Sequence, residues 1–384
     1  MNVSPGDARR ARFLVVCVAL ILLGSCASRG RPPSDVDARI DFSLKKLSEH
    51  PRLFAVYTQL AAAYLDKARE THDPTFLTRG RDAGERSVAI QPNVLAFNVM
   101  AGLCNFAHRF ECALEWGRRA AAANPTDTAV TALLVEAYMG LGRYEDAAKL
   151  LPPPGVKAGD FYTAAALGQW LASQLRYDEA VDAFLDAAKF ARATGASDLT
   201  VWAEVRAAGA LLDWGRPGPA RSHLEAAAGL GPGNPVAWKM LHLHWAEFYE
   251  AEGQLDKALA VYEGLLEEQE DPAIRHKAFL VARWLGQEVR AHKHFGAAEQ
   301  GFQRVIDAGE IYTLGGLARL YADGDVKIEH ALALAQRNLE YKRDIEAEAT
   351  LAYVQSKLWV PSRPRISRPG GKGKRVTFPI FQGE

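Results

Sequence analysis

Between about residue 37 and residue 358, apolar and small residues recur at helical spacing in helix-length stretches, separated by short polar turns. Composition agrees with that pattern. Alanine and leucine are abundant, and glycine and proline are spaced along the chain rather than clustered, which favours helices joined by tight turns. A chain of 384 residues is too long for one compact all-helical core and suits a stack of helix pairs.

The pattern repeats at a period of roughly 34–40 residues. One unit spans 94–127, with Cys104, Phe110, Ala113, Ala120 and Pro125 at positions 11, 17, 20, 27 and 32. The next begins at Thr128, with Tyr138, Gly142, Tyr144 and Ala147 at positions 11, 15, 17 and 20. A third begins at Phe161, with Leu167, Gly168, Leu171, Tyr177, Ala180, Phe184 and Ala187 at 7, 8, 11, 17, 20, 24 and 27. Small residues at 8 and 20 allow two helices to approach closely. Large residues at 11, 17 and 24 fill the space between pairs. Glycine near 15 makes the turn, and proline near 32 ends the second helix. Further units start near Val201, Lys239, Phe279 and Ile311. A degenerate first unit covers 53–93, with an insertion around 70–78, and 346–358 is expected to be a capping helix.

These positions resemble the tetratricopeptide repeat. The resemblance covers about 320 of the 384 residues. It implies an all-α, right-handed superhelical solenoid of antiparallel helix pairs over residues 37–360. In such repeats the first helices line a concave groove with positions 2, 5, 9 and 12. Carried onto this sequence, the groove is Asn98, Asn105, Tyr162, Gln169, Trp202, Met240, Glu247, Glu250, Arg283, Gln287 and Arg290. It is mixed in character, apolar in the centre and charged towards the C-terminal end. The lysine and asparagine cluster with which some relatives clamp a C-terminal carboxylate is missing. Most other tryptophans and tyrosines fall on filler positions, where core packing is the default.

Residues 1–25 have the order of a secretory leader: Arg9, Arg10 and Arg12, then an apolar run over 13–23. The run falls short of the ~20 apolar residues needed to cross a bilayer. It ends in Leu23-Gly24-Ser25-Cys26, which resembles a bacterial lipobox. The resemblance implies lipidation of Cys26, with residues 26–36 as lipidated cysteine and tether. A plain signal peptide with a chance cysteine, or an uncleaved anchor, are the alternatives. Ala27 and Ser28 follow the cysteine where inner-membrane lipoproteins often carry aspartate, so an outer-membrane lipoprotein facing the periplasm is expected.

The chain has 46 basic and 46 acidic residues; without residues 1–25, 43 and 45 remain, which lacks the basic excess of a nucleic-acid binder. Of four cysteines only Cys104 and Cys112 belong to the folded body, where they could pair across one turn. No catalytic motif is present, and no cofactor is expected. His242 with His244, and His292 with His294, sit two apart and face opposite sides of a helix, against the i, i+4 spacing of metal ligands. Residues 361–384 form a Pro/Gly-rich tail with six basic residues against Glu384, either a bare tail or a second contact site. Together these features point to a non-enzymatic scaffold that is anchored by lipid and holds envelope proteins or peptides. A carbohydrate-binding surface lipoprotein and a metal-dependent enzyme on the solenoid are the alternatives. Cys26→Ser should abolish palmitate labelling and release the protein from sedimented membranes; a variant that still labels and sediments contradicts the lipobox.

Overall fold

The computed structural model describes residues 34–358. The leader, Cys26, most of the tether and the tail 361–384 lie outside the described residues. Eighteen helices are described, and among the described residues there is no strand. A leading helix, α1 (Val36–Glu49), precedes eight antiparallel pairs. These are α2 (Phe54–Thr71) with α3 (Pro74–Ile90), α4 (Val94–Phe106) with α5 (Phe110–Ala123), and α6 (Thr128–Gly140) with α7 (Tyr144–Ala148). Next come α8 (Phe161–Ser173) with α9 (Tyr177–Ala193), α10 (Ser197–Asp213) with α11 (Pro217–Leu230), and α12 (Pro235–Ala251) with α13 (Leu255–Glu268). The last are α14 (Pro272–Trp284) with α15 (Glu288–Asp307), and α16 (Leu314–Asp323) with α17 (Ile328–Asn338), closed by α18 (Ile345–Leu358). The all-helical solenoid of antiparallel pairs expected from the repeats is the fold that forms.

Local chemistry explains the pairing. Most first helices start on an Asx cap. Asn93 accepts from the Ala96 N–H at 2.8 Å, Asp160 from Tyr162 N at 2.9 Å, and Asn234 from Ala237 N at 2.9 Å. The turn to the second helix needs a left-handed residue, and Gly142, Gly215, Gly253 and Gly286 all hold φ between +71° and +75° there. Within a pair the helices touch at the small positions. A Cβ on Gly168 would come within 2.7 Å of the Phe184 ring, and Ala180 has no exposed surface. The core therefore runs along the solenoid axis as successive clusters, with Leu114, Phe184, Leu224 and Tyr262 fully buried.

The structure refines the sequence reading in its details. The insertion at 70–78 is shared between the end of α2, a two-residue turn at 72–73 and the first residues of α3. Helix α7 stops after 5 residues, because Pro152, Pro153 and Pro154 follow closely and cannot donate backbone hydrogen bonds. The seventh unit starts at Pro272, not Phe279; Gly286 is its left-handed turn and not the small residue of its first helix. Ala188 is buried as fully as Ala180, because it packs in a cluster with Ala203 of the next repeat. Cys104 and Cys112 are joined in a disulfide, Cα to Cα 5.8 Å, which ties α4 to α5. No described helix is long and apolar enough to cross a membrane.

Ala180→Leu should lower stability by ~1–3 kcal/mol through overpacking, whereas Ala193→Leu, at an exposed site on the same helix, should change it by less than about 0.5 kcal/mol. Equal melts for the two variants would contradict this packing.

Candidate functional site

The concave face of the solenoid does not stay open. The turn between α15 and α16 reaches back to the start of the chain. Glu310, 3% exposed, accepts from Arg81 Nη2 at 3.1 Å and lies 3.5 Å from Arg109 Nη2. Tyr312 packs its ring against Phe106 (5.8 Å between centroids) and edge-on to His108 (6.2 Å), and donates its hydroxyl to the His72 carbonyl at 3.3 Å. Further along, the Arg343 N–H donates to the Gly140 carbonyl at 2.7 Å, and Ile345 N–H to the Tyr144 hydroxyl at 3.0 Å. Gly142 is required at this second contact as well as in its own turn, since a Cβ there would stand 2.5 Å from the Arg343 carbonyl oxygen. Asp271 caps α14, pairs with Lys239 and faces His72 Nε2 at 3.7 Å.

Behind this seam lies a chamber of about 380 Å³. Phe106, Phe110, Ala132, Val135, Met139 and Ala166 form its apolar wall; Asn105, His108, Glu136, Gln169, Tyr312, Lys342 and Asp344 supply polar groups. Burial sets their titration. The His108 imidazole is held down at about 4, first by burial and then by the Lys342 charge, with Glu346 opposing. Burial likewise lowers His72, against the pull of Asp271. The Glu136 carboxyl reaches water but is ringed by protein, and this enclosure raises its pKa; the charge of Arg69 and the Asn105 amide oppose the rise. Lys342 loses solvation, yet Glu346 and Asp344 together keep it charged and raise its pKa.

The expected groove residues divide. Asn105 and Gln169 meet in the chamber. Asn98 donates to Asp127 at 3.1 Å and so ties α4 to the start of α6. Tyr162 is 44% exposed, whereas Trp202 packs half-buried between Phe161 and Phe184. Met240 packs against the cluster of Leu241 and Phe248. Glu247 pairs with Lys277 at 3.3 Å, and Glu250 accepts from the Tyr262 hydroxyl. Arg283 reaches the Asp323 carbonyl and Asp325. Gln287 and Arg290 are corrected: the seventh unit starts seven residues earlier, so Gln287 immediately precedes α15 and Arg290 sits on that second helix, paired with Glu263. The seam residues His72, His108, Glu310 and Tyr312 were missed. One signal was available, since His72 and His108 stand at left-handed turn positions (φ 54° and 55°) where glycine is the usual choice.

A family model described as the tetratricopeptide repeat matches residues 211–280. Among solved structures, the Pseudomonas aeruginosa pilF protein is 15% identical, with a TM-score of 0.34 over 64% of this chain and 90% of that one. Yeast Tom70 is 14% identical, with a TM-score of 0.38 over 84% of this chain and 85% of its own. A tetratricopeptide repeat protein from Parabacteroides merdae is 11% identical, with a TM-score of 0.36 over 77% and 98%. No curated protein matches the sequence. Likenesses this loose carry no functional argument. The repeat match, together with the helix pairing seen here, gives the chain a tetratricopeptide-type fold, which supports a protein-binding scaffold.

Because His108 and His72 are neutral in the closed seam, opening lets them take up protons at ordinary histidine pKa values. The seam is therefore firmest above about pH 6.5 and loosens as pH falls towards 4. Hydrogen exchange of residues 306–313, corrected for its intrinsic pH dependence, should rise from pH 7 to pH 5, and less so in His108→Gln. A flat profile in the unaltered chain contradicts this.

Proposed function

We propose that this chain is a non-enzymatic scaffold lipoprotein of a bacterial envelope, anchored through Cys26 and engaging envelope proteins or peptides on its concave face. The observation that carries the reading is the sequence of basic segment, apolar run and Leu23-Gly24-Ser25-Cys26, in that order. Several acyl chains on one cysteine give firm anchorage, at about 0.8 kcal/mol per buried CH₂. The Cys104–Cys112 disulfide is in keeping with an oxidising compartment such as the periplasm. The outer membrane is preferred because Ala27 and Ser28 follow the lipid site without aspartate. Lipoproteins that this chain resembles serve pilus assembly, outer-membrane protein insertion, polysaccharide export or recruitment of cell-wall enzymes.

Photo-crosslinkers placed at Tyr162 and Gln169 in intact cells should capture a small set of envelope proteins from the membrane fraction. The same probe at Glu225, exposed on a second helix, should not. Recovery of the chain in the soluble cytosolic fraction, or identical capture from all three sites, would contradict the reading.

A further inference from the structure

The polar groups of the chamber are unevenly matched. Asn105 is 3% exposed, and its Nδ2 donates to the Leu133 carbonyl at 3.0 Å and to Glu136 Oε2 at 3.1 Å. Two acceptors on one side fix the orientation of the amide. Its Oδ1 is then left buried with no partner, as is Nδ1 of His108. Glu136 receives that one amide, and no cation among the described residues stands within ion-pair distance of it. Lys342 is the cation of the chamber, but Asp344 at 3.3 Å and Glu346 at 2.6 Å already hold it. Arg69 acts on Glu136 only from a distance and is engaged by Asp66 at 3.4 Å. A buried acceptor without a donor costs about 1–3 kcal/mol, so native proteins rarely leave one facing a cavity without use.

We propose that the chamber binds a cation on a short apolar stem, an alkylammonium or alkylguanidinium. Its head would sit on Glu136 and Asn105 Oδ1, and its stem would lie along Phe106, Phe110 and Met139. Each half of the ligand finds its complement. The head supplies the missing donors and the missing positive charge. Aromatic walls favour a cation beside them, and Phe106, Phe110 and Tyr312 all line the space. The neutral histidines supply no competing charge. The volume, about 380 Å³, is that of a small-ligand site and far too small for a helix. Two sources carry this chemistry, a lysine or arginine side chain on an extended protein segment and a free amine or guanidine metabolite. The first rests on the scaffold reading of the same concave face and names what that face recognises.

Calorimetric titration of the purified full-length chain tests it, with n-butylguanidinium, its neutral counterpart n-butylurea, and a capped Gly-Gly-Arg-Gly-Gly peptide. The expected result is saturable binding of butylguanidinium at one site, with butylurea and the Glu136→Gln variant each at least about tenfold weaker, the size of one charged hydrogen bond. Ala132→Phe, which fills the chamber and keeps Glu136, should also lose binding. Tighter binding of the peptide than of butylguanidinium assigns the site to a protein segment; exclusion of the peptide while butylguanidinium binds assigns it to a small molecule. The proposal is overturned if the unaltered chain binds butylguanidinium no better than butylurea, or if both variants bind it undiminished. Such a failure alongside successful crosslinking from Tyr162 would leave the scaffold standing and remove only the chamber.

Discussion

The buried carboxylate of Glu310 is the contact on which the shape of this molecule turns. A charge taken out of water costs several kcal/mol unless it is paired and hydrogen-bonded. Here the partners, Arg81 and Arg109, come from the first and second helix pairs, more than 200 residues away along the chain. Arg81 is the stronger of the two, since Arg109 is 41% exposed and screened by water. Tyr312 adds the apolar part of the same contact by covering Phe106 and His108. Without this seam the concave face is an open groove; with it, the groove becomes a chamber in which burial changes the behaviour of every titratable group.

The repeat, and so the fold, was legible in the sequence because its signals are local. Ala180, Gly168 and Phe184 sit where two helices of one pair must touch, and their spacing in the chain reports that contact directly. The register failed where a local signal had two meanings: Gly286 serves as a left-handed turn, while a small residue in the first helix would read the same. Closure was not legible. It depends on the small rotation between successive repeats, summed over eight pairs, and no single residue encodes that sum. Glu310 reads as an ordinary surface carboxylate until the superhelix brings Arg81 beside it. For the same reason only Asn105 and Gln169, of the expected groove residues, share one site, while Glu250 and Arg283 are held by Tyr262 and Asp325.

A closed solenoid constrains how a scaffold can engage its partners. A long segment cannot lie along the whole inner face unless the seam opens, whereas a single side chain or a small molecule can enter the chamber as it stands. The polar contacts of the seam are few, and the two histidines beside it favour the closed form only while neutral. A partner that binds the open form more tightly would shift the population in proportion to that preference and no further. The chamber's lining comes from both ends of the solenoid, so its shape depends on the seam.

Small-angle X-ray scattering on the full chain, compared with the Glu310→Ala/Tyr312→Ala double variant, tests closure most directly. A closed ring predicts a compact profile for the unaltered chain and a larger radius of gyration for the variant, with the helical circular dichroism of the two alike. Identical, extended profiles for both would mean that the ends of the solenoid do not meet in solution and that the chamber does not exist.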